Sequence, residues 1–120
     1  MAKINSRQKG HSWERYVANY LQEKTGAKCQ RLLEFQEGFG VDIKTELPLA
    51  VQCKCSKSSG LAFTGYKEAA ASAIGTTPGT IPTCFFKWSW KGRKPSEGGE
   101  FVILNLDDFM EIFTAYLSGR

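Results

Sequence analysis

The sequence predicts an α/β sandwich, a mixed central sheet flanked by helices. Three observations predict it. Residues 12–25 and the stretch after Asn105 place apolar side chains at helical spacing. The runs 28–35, 41–45, 49–55, 81–90 and 101–104 are rich in strand-forming residues bounded by turn formers. An Ala-rich helical stretch, Tyr66 to Ile74, separates the third run from the fourth. The resulting order is α-β-β-β-α-β-β-α. At 120 residues the chain has room for one domain, residues 1–120, with a core that needs no staples.

Taken in order, the first helix carries Trp13, Tyr16, Val17, Tyr20 and Leu21 at i, i+3, i+4, i+7 and i+8, and Gly26 ends it. The strand over 28–35 leads into the turn Gln36 to Gly40. The short strand 41–45 returns tightly through Glu46-Leu47-Pro48 into 49–55. Ser56 to Gly60 reads as a loop, and the Ala-rich helix ends at Gly75 and Pro78. The strand 81–90 carries Phe85, Phe86, Trp88 and Trp90. Lys91 to Gly99 is a polar turn, and 101–104 is the last strand. In the terminal helix Asn105 serves as cap and Asp107 and Asp108 occupy the first turn. Phe109, Ile112, Phe113, Tyr116 and Leu117 form one stripe.

Composition narrows the function. No window approaches the ~18 apolar residues of a membrane span, and the basic N-terminus lacks the apolar core of a signal peptide. A soluble, cytoplasmic chain is expected. Cys29, Cys53, Cys55 and Cys84 form no C-x-x-C pair, and His11 is the single histidine, so the cysteines read as small buried hydrophobes rather than zinc ligands. Sixteen Lys and Arg against twelve Asp and Glu give +4. The excess is clustered: Lys3, Arg7 and Lys9 near the N-terminus, then Lys87, Lys91, Arg93 and Lys94, each group without an acid. Lysines beside rings that can stack on bases suit a nucleic-acid surface. The same rings suit a buried strand running into a solvated turn.

The run 49–55 holds the chemistry. Side chains alternate across a strand, so Val51, Cys53 and Cys55 face a core while Gln52 and Lys54 emerge together on the other side. A half-buried Lys is costly unless an anion is near. Asp42, one tight return earlier, can lie beside Gln52. An acid, an amide oxygen and an ammonium then converge, which suits a hard cation such as Mg²⁺ together with a phosphate or a water. Glu14 falls at the margin of the first helix's apolar face, placed either to supply a second carboxylate or to act as an ordinary boundary glutamate paired with Arg15 or another base.

The pattern Gly10-His-Ser-Trp-Glu14-Arg, Gly40-Val-Asp42-Ile and Val51-Gln-Cys-Lys54 resembles the PD-(D/E)XK nuclease superfamily, and within it most resembles the archaeal-type Holliday junction resolvases and their phage relatives. Gln52 stands where most of the family has Glu or Asp, a variant that also resembles Mrr-type restriction enzymes. Val41 stands where a proline precedes the motif Asp, and the serine that resolvases often carry ahead of it is absent. The resemblance implies a restriction-endonuclease-like fold and a catalytic set of Glu14, Asp42, Gln52 and Lys54. It implies Mg²⁺, with Mn²⁺ as substitute, held by Glu14, Asp42, Gln52 and the Cys53 carbonyl, while Lys54 orients the attacking water. It further implies a homodimer cutting four-way DNA junctions. A restriction-type nuclease on linear or modified DNA, or a non-catalytic DNA-binding module, remain alternatives.

Candidate phosphate contacts are Lys3, Arg7, Lys9, Arg31, Lys57, Lys67, Lys87, Lys91, Arg93 and Lys94, on elements flanking the proposed site. Ser58, Ser59 and Gly60 read either as a flap beside the substrate or as a plain surface loop. The terminal helix, with Phe113, Tyr116 and Leu117, and the strand bearing Trp88 and Trp90 are the candidate dimer surfaces.

Overall fold

The apolar run 49–55 becomes the middle strand of a mixed sheet, and the rest of the chain is arranged around it. The computed structural model describes residues 6–32, 41–75, 79–88 and 99–119, the side chains of 6–9 and 75 excepted. Within these, the elements are α1 (Ser6–Thr25), β1 (Cys29–Arg31), β2 (Ile43–Thr45), β3 (Leu49–Ser56), α2 (Gly60–Gly75), β4 (Ile81–Trp88), β5 (Gly99–Ile103) and α3 (Leu106–Ser118). The element order is the expected one. Strands follow chain order across the sheet, β1-β2-β3-β4-β5. β3 and β4 are parallel, joined by α2 as the crossover, and the other neighbours are antiparallel.

The two-residue alternation of β3 divides the interior. On one face Val51 and Cys53 meet Trp13, Val17, Ala18 and Leu21 of α1, together with Cys29 and Ile43. On the other face α2 covers β4, where Ala62 packs on Cys84 and Phe86, and Tyr66, Trp88 and Ile103 close the cluster. The Trp13 indole N–H donates to the Phe85 carbonyl at 2.8 Å, which fixes α1 across the sheet as far as β4. All four cysteines are free thiols, and Cys29, Cys53 and Cys84 are buried as small hydrophobes. The rings of β4 divide between the two clusters, so Phe85, Phe86 and Trp88 are packing residues; Trp90 lies outside the described residues.

Several boundaries differ from expectation for identifiable reasons. α1 starts at Ser6 rather than residue 12, because residues 6–11 contain no apolar repeat to announce it. α2 starts at Gly60 rather than Tyr66; two glycines in its first two turns mask it by lowering helix propensity. β1 ends at Arg31, and residues 33–40, with the expected strand end and turn, lie outside the described residues. Tyr16 and Tyr20 belong to the predicted stripe of α1, yet they remain 48% and 46% exposed. Among the described residues no helix is long and apolar enough to cross a membrane.

Gly65 sets the approach of α2 to the sheet. A Cβ there would stand 2.5 Å from Cys84 Sγ and 2.8 Å from Lys54 Cγ, inside van der Waals contact with two side chains of the sheet face. Gly65→Ala is expected to destabilise the fold by about 1–3 kcal/mol through overpacking. Gly60→Ala, whose Cβ would meet only Ser58 Oγ at 3.8 Å, is the near-neutral control. Urea denaturation of the two variants checks this; equal stabilities would mean that α2 is not seated through Gly65.

Candidate active site

Asp42 sits at the entrance to β2, its main chain anchored on both sides. Its N–H donates to the Val51 carbonyl at 2.9 Å, and its carbonyl accepts from Leu32 N–H at 2.9 Å. With the backbone held, the side chain turns toward β3, and Oδ2 accepts from Cys53 N–H at 2.7 Å. A charge-assisted bond of this kind favours the ionised carboxylate. Burial opposes it and wins: loss of hydration, with a smaller push from the neighbouring Glu14 charge, raises the Asp42 carboxyl from its ordinary 3.8 to about 6 despite the Cys53 N–H. Among the described residues no cationic side chain bonds to Asp42.

Glu14, on α1, also rises above the usual carboxylate range because of burial, with Arg31 pulling the other way. Its Oε1 accepts from Arg31 Nε at 3.0 Å, and both side chains are largely shielded, 17% and 14% exposed. Gln52 is buried, and Lys54 is the next residue along the same face of β3, half-buried beside α2. Lys54 Nζ meets Glu68 Oε2 at 3.1 Å. Glu14, Lys54 and Glu68 each act electrostatically on the Asp42 carboxyl, and Lys54 acts on Glu14 as well.

The structure therefore brings Glu14, Asp42 and Lys54 to one place, with Gln52 and the Cys53 main chain alongside. It also brings Glu68, which sequence reasoning missed. Glu68 is the only acid in α2, one turn beyond Gly65; a lone acid in a small-residue helix following a Gln-x-Lys strand is the signal that could have revealed it. Arg31, expected at a phosphate, is instead the partner of Glu14, so the boundary-glutamate pairing is made by Arg31 rather than Arg15. Lys57 and Lys67 are exposed beside Lys54's strand and helix. Lys87 belongs to the opposite face, its ammonium 5.8 Å from the centre of the Trp13 ring. Lys3, Lys91, Arg93 and Lys94, and the side chains of Arg7 and Lys9, lie outside the described residues. Of the proposed flap, Gly60 is already the first residue of α2, and the amides of Leu61 and Ala62 donate to the Ser58 and Ser59 carbonyls.

Chemically this is a cluster of carboxylate and amide oxygens beside a half-buried ammonium. Among the described residues no three His, Cys, Asp or Glu side chains form a ready-made metal cage. The donor set that fits a hard cation is the Asp42 carboxylate with Glu14, the Gln52 amide oxygen and the Cys53 carbonyl. Asp42 is the observation that favours such a fit: a shielded carboxylate with no cationic bond among the described residues, its ionised form disfavoured, is what a bound cation would relieve. The class defined by fold is a mixed α/β protein, with a five-stranded sheet and three helices among the described residues. No known protein family, curated protein or solved structure matches this chain.

The raised Asp42 pKa has a sign that can be checked. A carboxyl at 3.8 unfolded and about 6 folded contributes stability that is complete below pH 4 and is lost as pH rises through 6. Asp42→Asn removes the charge and keeps an acceptor for Cys53 N–H. In metal-free buffer it is expected to gain about 2–3 kcal/mol over the native chain between pH 4 and pH 8. Denaturant melts at the two pH values measure this, and a pH-independent difference would show that Asp42 titrates normally.

Proposed function

We propose that this chain is a metal-dependent DNA endonuclease with a restriction-endonuclease-like PD-(D/E)XK fold, acting on four-way junctions. The observation that carries the reading is the convergence of Asp42, Glu14 and Lys54 from a strand entrance, a helix and the central strand. Hydrolysis of a phosphodiester needs negative oxygen donors for a hard cation and a positive charge near the scissile phosphate, and these residues supply both. Asp42, Glu14, the Gln52 oxygen and the Cys53 carbonyl would hold Mg²⁺ or Mn²⁺. When bound, the ion supplies Lewis acidity and a more acidic water.

The protein's own groups do the rest. Asp42 is oriented by Cys53 N–H, and Glu14 is oriented by Arg31. Lys54, held by Glu68, lies where it can orient the attacking water and offset charge on the phosphate. Lys57 and Lys67 provide phosphate contacts beside it, each neutralised phosphate adding about 0.9 to the salt slope on duplex DNA. Gln52 gives one specific reason to weigh a restriction-type nuclease on linear or modified DNA, because the neutral amide resembles the Mrr variant.

Asp42→Ala and Lys54→Ala are expected to lose cutting by at least about a hundredfold while still binding DNA and folding. The test is a cleavage assay on a labelled four-way junction and a linear duplex of matched sequence, with Mg²⁺ and with EDTA. Paired nicks on the junction alone, lost in EDTA, support the proposal. Equal cutting of both substrates favours the restriction-type reading, and binding without cutting in any divalent metal leaves a DNA-binding module. A Mg²⁺-dependent rise in melting temperature, absent in Asp42→Asn, reads the metal site without reference to activity.

A further inference from the structure

Two open surfaces adjoin the charged cluster, and they differ in chemistry. Between α1 and the β4–β5 edge lies a shallow, largely apolar groove of about 180 Å³, lined by Trp13, Tyr16, Tyr20, Phe85 and Val102. Its one charged lining residue among those described is an acid, Glu100, which repels phosphates. The other surface is the half of the sheet that α2 leaves bare. α2 packs over β3, β4 and β5, so on its side of the sheet β1 and β2 meet solvent. Alternation sends Cys29 and Ile43 inward to α1 and turns Lys28, Gln30, Lys44 and Glu46 outward, all four exposed. These four border a depression of about 300 Å³. Among the described residues neither Lys28 nor Lys44 pairs with an acid, Glu46 included.

Strand register fixes where this bare face lies relative to the cluster. Gln30 is opposite Lys44, and Ile43 is opposite Val51. Lys44 is therefore two residues from Asp42, about 7 Å along the chain, and Lys28 is one strand and two residues further out, about 8 Å from Lys44 between Cα positions. Lys54 lies on the other side of Asp42 and Gln52, further along β3. Lys54, the Asp42–Gln52 pair, Lys44 and Lys28 thus follow one diagonal across three strands, with cations at both ends and oxygen donors between them. At the Lys54 end α2 stands over the sheet, and its Glu68 holds the ammonium at 3.1 Å. At the Lys28 end the face is open.

We propose that duplex DNA lies along this bare β1–β2 face, with Lys44 and Lys28 holding phosphates on one side of the bond that faces Asp42. The inference rests on the endonuclease reading of the cluster and adds to it the path of the substrate. Charge selects the occupant: two unpaired ammonium groups and the Gln30 amide outweigh the single acid, Glu46. Place selects the direction, because α2 walls the diagonal at one end and a long ligand reaching Asp42 must leave by the other. Lysines without a planar fork suit phosphates approached from varied angles. Such contacts fix the register of the duplex on the protein and carry no base information.

The test is binding of the full chain to a labelled duplex in EDTA, across about 50 to 200 mM salt. The double variant Lys28→Ala/Lys44→Ala is expected to lower the slope of log K against log salt by about 1.8, and to weaken binding by at least about tenfold at the low-salt end. Lys24→Glu removes the same amount of charge from the end of α1 and should leave the slope as it is in the native chain. All three positions are exposed, so far-UV circular dichroism should show both variants folded. An unchanged slope in the double variant of a chain that binds and cuts duplex would overturn the path and leave the nuclease reading intact. Lys28 and Lys44 would then be charges that keep an edge strand from pairing. An equal fall in Lys24→Glu would also overturn it, since net charge rather than place would govern binding. A native chain that binds no duplex would overturn both the path and the reading beneath it.

Discussion

The structure depends on β3 being covered on both faces while lying between an antiparallel and a parallel neighbour. Such a strand exposes little of its middle to water: Ala50, Val51, Gln52 and Cys53 are all buried. Two-residue alternation then leaves few choices. Val51 and Cys53 take the α1 face, and Gln52 and Lys54 must lie beneath or beside α2. An uncompensated ammonium in that position would be expensive. It is tolerated because α2 carries Glu68 where Lys54 emerges, and because Gly65, with no side chain of its own, lets the helix come close enough for the pair to form.

Asp42 follows the same logic with the opposite outcome. A bond from a main-chain N–H to a carboxylate contributes about 1.5–3 kcal/mol, and by itself the Cys53 N–H would hold the Asp42 pKa low. The carboxyl nevertheless rises from 3.8 to about 6, which is about 3 kcal/mol against the ionised form. Desolvation therefore exceeds the hydrogen bond by a wide margin. Among the described residues, Glu14 is paired with Arg31 and Glu68 with Lys54, whereas Asp42 makes no ion pair and feels Lys54 only at longer range. A site arranged in this way works against the fold at neutral pH, and a divalent cation would reverse that balance.

Much of this was legible in the chain and some was not, for physical reasons. The order of eight elements follows from periodicity and turn residues, and the split of β3 follows from alternation, so the shared face of Gln52 and Lys54, opposite Val51 and Cys53, is legible in the chain itself. The proximity of Glu14 to Asp42 was readable only through a resemblance, because a helix-boundary glutamate looks the same whether it meets a cation or Arg31. Glu68 was hidden for a related reason: α2 has two glycines in its opening turns, and its start at Gly60, six residues early, sets which of its faces meets Lys54. The stripe of α3 was plain in the sequence, but amphipathicity specifies that a face needs cover and says nothing about which chain provides it.

The position of the open groove relative to the charged cluster constrains how the two could work together. Strand order puts Asp42 and Lys54 at β2 and β3, and the groove at β4 and β5. Neighbouring strands are about 4.8 Å apart, so the two regions are separated by roughly 10–15 Å along the sheet. They meet along α1, where Trp13 lines the groove and its neighbour Glu14 belongs to the cluster, while Gln52 and Lys54 lie on the α2 side of the sheet.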